Sequence, residues 1–164
     1  MDDAGNGHLL QGGSGFLINE QNLITNQHVV SMDSATKEAA NEEFGVDFND
    51  SKVNVEIQVV VQRDVVVEAT VTTSSEAMDF AVLELSDPIY DRNPLTLGDS
   101  DNVGEAQTVY ALGFPSRDQW TQDFSYFTSS DVSVTNGIVS KKQQTNGVPT
   151  IKHSATLAAG NSGG

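Results

Sequence analysis

Apolar residues in this chain come in short runs broken by polar turn-formers, and that interruption limits the fold more than any other feature. Gly15-Phe16-Leu17-Ile18 stops at Asn19-Glu20-Gln21-Asn22, and Leu23-Ile24-Thr25 follows, which is a hairpin pattern. From Val53 to Val61 the residues Val53, Val55, Ile57 and Val59 share one face, with Asn54, Glu56 and Gln58 on the other. Val65 to Val71, Phe80 to Leu85, Thr108 to Leu112, Val132 to Val139 and Val148 to Ile151 are further strand candidates. Many short strands joined by polar turns predict an all-β sandwich or barrel. The longest purely apolar runs, such as Val59-Val60-Val61, fall far short of the ~20 residues a membrane-spanning helix needs.

Two segments depart from the strand pattern. Asp33 or Ser34 is placed to cap a short helix through residues 36–43, which carries Glu38, Glu42 and Glu43 and is continued by Asp47 and Asp50. It reads as a solvated surface insertion, with a docking surface as the alternative. The polar stretch from Pro115 to Asp131 holds Trp120, Phe124, Tyr126 and Phe127. These aromatics suit either loop anchors packed on the barrel or a mobile binding loop.

Composition bears on partners. Eight basic residues against 23 acidic ones give a formal net charge of −15, which argues strongly against nucleic acid and more weakly against anionic membranes. The complete lack of cysteine excludes a disulfide framework and cysteine-ligated metal sites. Met1-Asp2-Asp3 lacks the basic-then-apolar order of a signal peptide, so either the protein is cytoplasmic or an export signal precedes these residues.

Three segments carry chemistry. Leu23 to Val30 places His28 just past a strand end, Met78 to Leu85 opens an apolar strand with Asp79, and Gly160-Asn161-Ser162-Gly163-Gly164 holds a serine among glycines. Singly each has an ordinary structural explanation: a strand-end histidine, a turn aspartate, a flexible linker. In the order His, Asp, Ser they match an acyl-transfer triad. A serine hydroxyl is a poor nucleophile at neutral pH, so a neutral imidazole must take its proton during attack. A carboxylate then orients the imidazole, and glycines let backbone N–H groups aim at the developing oxyanion. Such chemistry needs neither metal nor organic cofactor. Asp47, Asn49 and Ser51 alternate like the start of a calcium loop, but the sixth place lacks glycine and Gln58 stands at the closing position, so no metal site is assigned.

On these residues the sequence resembles the trypsin-like (chymotrypsin-fold) serine endopeptidases, and most of all their bacterial HtrA-type branch. The matching stretches are Gly13 to Ile18, Leu23 to Val30, Asp79 to Leu83, Leu97 to Ser100, Ala111 to Pro115, Thr135 to Ser140 and Gly160 to Gly164, in family order. The resemblance implies two antiparallel six-stranded β-barrels: residues 1–12 as a lead-in, 13–100 as the first barrel with His28 and Asp79, and 101–164 as an incomplete second barrel with Ser162. It implies His28 as general base then acid, Asp79 as its orienting partner, Ser162 as nucleophile, and the N–H groups of Gly160 and Ser162 as the oxyanion hole. Polypeptide is the implied substrate, and a protease-fold peptide-binding module without turnover is the alternative.

Departures from the secreted digestive relatives refine this. Val29 replaces the cysteine that those relatives carry beside the histidine, and Asn161 replaces their zymogen-activating aspartate, so activation by a newly cut amino terminus is not expected. Thr156 and Leu157 fall where the wall and floor of the primary pocket begin, and neither is acidic, which disfavours a trypsin-like preference for basic residues. His153 has either a structural role or one in a glutamate-accepting pocket. The resemblance also implies a bacterial exported or cell-envelope protein whose leader precedes Met1. Relatives continue past the position of Gly164, so residues 1–164 are expected to leave the second barrel open, to self-associate through exposed strand edges and to have little activity.

Overall fold

The computed structural model describes residues 8–115 and 127–164. Trp120, Phe124 and Tyr126 lie outside the described residues; Phe127 packs edge-on against Phe114, ring centroids 5.9 Å apart, as a loop anchor does. Eight strands and two α-helices are present among the described residues: β1 (Phe16–Leu17), β2 (Asn22–Thr25), α1 (Gln27–Val30), α2 (Ser34–Phe44), β3 (Ile57–Gln62), β4 (Val65–Ser75), β5 (Phe80–Leu85), β6 (Thr108–Gly113), β7 (Ser133–Thr145) and β8 (Val148–His153). The chain is mostly β, as expected.

The first five strands form one antiparallel sheet in the order β1-β2-β5-β4-β3. Leu23, Ala69, Leu83, Leu85 and Ile89 make its buried core, and Leu17, Ile57, Val59, Val61 and Val67 pack against them. Strands β1 and β3, at opposite ends of the order, thus supply side chains to one cluster, and the sheet curls into a half-barrel around it. Five strands stand here where a six-stranded barrel was expected. Beside β1 the segment after β5 makes a single backbone bond, Leu95 N–H to Leu17 C=O at 2.8 Å, rather than a ladder.

Strand β3 starts at Ile57, not Val53. Val53 instead closes a turn, its N–H donating to the Asp50 carbonyl at 3.1 Å, and β4 has only Val65–Ala69 to offer β3 before it pairs with β5 from Ala69 to Ser75. Helix α2 starts where the capping residue dictates: Asp33 accepts the Thr36 N–H at 2.8 Å, and Gly45 closes the helix at φ +67°.

Strands β6, β7 and β8 form a second antiparallel sheet. Val139 is buried beneath it, while Tyr110, Leu112, Val134 and Ile138 stand exposed on the opposite face of β6 and β7. In strands, alternate residues point to opposite faces, so these four share one face, where Leu112 lies opposite Val134, Tyr110 opposite Asn136 and Ile138 opposite Thr108.

Candidate active site

His28 sits on the single turn of α1, directly after β2. Asn26 occupies the capping position of that turn, yet its side chain turns elsewhere: Nδ2 donates to the backbone carbonyl of Asp79 at 2.6 Å. The far end of the turn is held by Gln11, whose Nε2 donates to the carbonyls of Val29 at 2.9 Å and Ser31 at 2.8 Å. These side-chain bonds satisfy helix-end and turn groups that four residues of helix cannot satisfy internally.

Asp79 opens β5 from a left-handed turn, at φ +50°, a region that Asp and Asn tolerate better than most residues. The Asn26 bond keeps the turn in that shape and aims the carboxylate at His28. Its oxygens lie 2.8 and 3.0 Å from His28 Nδ1, and one also accepts the His28 backbone N–H at 3.0 Å. Burial works to raise the Asp79 pKa, but the N–H bonds from His28, the attraction of the imidazole and the Gln27 N–H outweigh it and hold the carboxyl below its ordinary range. An ionised carboxylate only accepts, so Nδ1 carries the proton and a neutral His28 leaves Nε2 free to take one.

Ser162 belongs to a turn that folds back on the first sheet. Its carbonyl accepts the Ser14 N–H at 2.7 Å. Gly163, at φ +90°, fits against Ser14, Thr25 and Asn26 so closely that a Cβ there would overlap the Ser14 carbonyl and the Thr25 hydroxyl. Asn26 is two residues before His28, so this packing brings the Ser162 turn to the start of the His28 helix. No hydrogen bond joins Ser162 to His28 among the described residues. Gly160 is also left-handed, at φ +91°, and its carbonyl accepts from the Ser14 hydroxyl at 2.7 Å. Asn161 tucks its Oδ1, buried and without a partner, toward Gly113, where a Cβ would come within 2.8 Å of it.

The pocket candidates are more scattered. Thr156 and Leu157 lie between β8 and the Gly160 turn; the Thr156 carbonyl accepts the Thr135 hydroxyl at 2.7 Å, and Leu157 is 58% exposed. His153 ends β8 opposite Val139, and its Nδ1 is buried without a partner. Sequence reasoning missed Gln11, Ser14, Thr25 and Asn26. A polar residue between two glycines (Gly13-Ser14-Gly15) and polar residues closing an apolar strand (Thr25-Asn26) were the available signals.

A left-handed glycine turn bearing a serine, docked beside a histidine–aspartate pair at the mouth of a curled antiparallel sheet, is the arrangement of one protein class. The chain belongs to the trypsin-like peptidase domain family, whose sequence pattern matches residues 13–164. A similar protein is the magnetosome formation protease MamE of Paramagnetospirillum magneticum (strain ATCC 700264 / AMB-1), 30% identical over 165 positions covering 93% of this chain and 18% of that protein. The chain therefore spans less than a fifth of the length of that relative. In fold it is similar to a solved HtrA-type protease, AlgW with a decapeptide, with a TM-score of 0.61 at 24% identity over 92% of this chain and 38% of that one.

Proposed function

We propose that this domain is a serine endopeptidase of the HtrA-type branch, acting through His28, Asp79 and Ser162. The observation that carries the reading is the His28–Asp79 pair, with Nδ1 committed to the carboxylate at 2.8 Å and the Ser162 turn docked on the strand that ends beside His28. In this reading Ser162 Oγ attacks the carbonyl carbon of the scissile peptide while its proton passes to His28 Nε2. The negative oxygen of the tetrahedral intermediate is received by the N–H groups of Gly160 and Ser162. Collapse breaks the C–N bond, and His28 returns the proton to the leaving amine. Water then attacks the acyl carbonyl carbon as its proton passes to His28 Nε2, the bond from that carbon to Ser162 Oγ breaks, and His28 returns the proton to Oγ. Asp79 stays ionised throughout and steadies the imidazolium.

The same reading assigns residues 13–100 and 101–164 to two barrels, each six-stranded when complete, and Thr156 and Leu157 to an apolar primary pocket bordered by His153. It also makes the protein an exported or cell-envelope one, with polypeptide as substrate. The lack of a Ser162–His28 hydrogen bond favours the rival, a peptide-binding module without turnover, although such bonds are often long in the free enzyme and tighten with substrate. A fluorophosphonate probe separates the two. The intact protein should be labelled on Ser162, and Ser162→Ala should abolish labelling. A folded, intact protein that never reacts is the binding module and not the enzyme.

A further inference from the structure

Ser14 takes part in no step above, yet every polar group it has, hydroxyl, N–H and carbonyl, is hydrogen-bonded around the Ser162 turn. It is only 6% exposed. Its hydroxyl donates to the Gly160 carbonyl at 2.7 Å and accepts the Phe114 N–H at 2.8 Å. Its own N–H donates to the Ser162 carbonyl at 2.7 Å, and its carbonyl accepts the hydroxyl of buried Thr25, also at 2.7 Å. Four bonds from one residue join the first sheet through Thr25, the end of β6 through Phe114, and the nucleophile turn at two points.

Those two points matter because of what lies between them. The Gly160 and Ser162 carbonyls belong to the peptide planes on either side of the plane that carries the Ser162 N–H. Left-handed glycines at 160 and 163 bracket the turn, at φ +91° and +90°. Within the turn Asn161 N–H donates to the Ala158 carbonyl at 3.1 Å and Gly164 N–H to the Asn161 carbonyl at 2.9 Å. Glycine is permissive in both hands, and the Ser14 bonds add a hold from outside the turn on the carbonyls of Gly160 and Ser162. The flanking glycines make that hold possible. A Cβ at Gly13 would come within 2.8 Å of the Ser162 carbonyl, and one at Gly15 within 2.7 Å of the Leu23 side chain.

We propose that Ser14 is a positioning residue that fixes the oxyanion-hole geometry by anchoring the peptides on both sides of the Ser162 N–H. This rests on the reading of Ser162 as nucleophile. Its backbone half is available to any residue at position 14, but the bond to Gly160 needs a side-chain hydroxyl. Removing that hydroxyl leaves the 160–161 peptide with its Asn161 N–H bond to the Ala158 carbonyl but nothing on the Gly160 carbonyl from Ser14. It also leaves the Phe114 N–H without the Ser14 hydroxyl, and leaves His28, Asp79 and the pocket residues in place.

The test is saturation kinetics of fluorophosphonate labelling on the intact protein, which separates the limiting rate from the half-saturating concentration without a known substrate. Ser14→Ala removes the hydroxyl; Ser14→Cys keeps its approximate shape but offers only a weak donor. Both variants should lose roughly 10- to 100-fold in limiting rate, with the half-saturating concentration unchanged within about twofold. The pH midpoint of labelling should stay where it is in the wild type. A folded Ser14→Ala or Ser14→Cys that labels at the wild-type limiting rate overturns the inference while leaving Ser162 as nucleophile. So does a loss that appears only where thermal melting shows the variants already unfolded, because Ser14 is then a stability residue. Wild-type protein that is never labelled overturns the nucleophile reading and this inference together.

Discussion

Replacing Asp79 with Asn is the sharpest perturbation of the proposed site, because it changes one charge and almost nothing else. Asn is isosteric with Asp and equally at ease in the left-handed region, so φ +50° at position 79 adds no strain. The Asn26 bond goes to the main-chain carbonyl and survives. What changes is the donor count. The carboxylate accepts two N–H groups from His28, one from the backbone at 3.0 Å and one from Nδ1 at 2.8 Å. An amide has one acceptor oxygen and an NH2. If its oxygen keeps the backbone N–H, the NH2 faces Nδ1, which must then give up its proton and accept. The imidazole proton moves to Nε2, where it blocks the transfer from Ser162. In triad enzymes this tautomer error costs about 10⁴ in rate, equivalent to about 5.4 kcal/mol. The effect on stability is far smaller. His28 and Asp79 side chains are 56% and 46% exposed, so solvent screens the pair and its loss is worth on the order of 0.5 kcal/mol. Fluorophosphonate labelling of the intact protein should therefore slow by about 10³–10⁴, while the melting temperature falls by only about 1–2 °C. Labelling within about tenfold of wild type would refute the assignment of Asp79 as the orienting carboxylate. A melting temperature that collapses with the rate would refute the separation of chemistry from stability.

Other outcomes follow from the same geometry. The Asp79 carboxyl should titrate below the ordinary carboxylate range, since its N–H partners and the imidazole outweigh burial. Its folded-state value lies under the unfolded one, so its contribution to stability is complete above the ordinary range and is lost as pH falls through the lowered value. Side-chain carboxyl NMR shifts read this directly, and a midpoint at or above the ordinary range contradicts it. Gly163→Ala should destabilise the fold, because φ +90° costs a non-glycine residue about 1–3 kcal/mol before the overlap with Ser14 and Thr25 is counted. That is a fall of roughly 5 °C or more in melting temperature, and an unchanged melt means the turn is not docked as described. The exposed apolar side chains of Tyr110, Leu112, Val134 and Ile138 should make residues 1–164 self-associate. Sedimentation showing one monomeric species across concentrations would count against it.

The strands were legible where a partner was guaranteed nearby. Strand β5, expected at Phe80–Leu85, occupies those residues because it lies between β2 and β4 and is paired along its whole length. Strand β7 runs on to Thr145, well past the apolar stretch ending at Val139. Lys141 to Thr145 are polar and show no strand pattern, but Asn146-Gly147, both left-handed, turn the chain so that Thr145 pairs with Val148. An Asn-Gly turn of this kind matches the twist of the flanking strands and imposes pairing on whatever residues adjoin it. In β3 the reverse holds: apolar alternation at Val53 and Val55 found no partner and made no strand. Periodicity reports which face a residue takes once paired, and pairing itself is decided elsewhere in the chain.

The same division runs through the site. His28, Asp79 and Ser162 could be picked out because their side chains belong to a short list of reactive types in a telling order. Gln11, Ser14, Thr25 and Asn26 could not, because what they supply is a bond to main chain at a distance: Gln11 to the carbonyls of Val29 and Ser31, Asn26 to that of Asp79, Thr25 to that of Ser14. A backbone carbonyl has no sequence signature, so neither does the residue that binds it. Glycines carry the complementary half of the information. Gly13 and Gly15 beside Ser14, and Gly163 after Ser162, mark places too close for a Cβ: at Gly13 it would meet the Val29 side chain and the Ser162 carbonyl, at Gly15 the Leu23 side chain, and at Gly163 the Ser14 carbonyl. A polar residue set between such glycines is therefore a candidate for a main-chain clamp, and in this chain the residue in that position is Ser14.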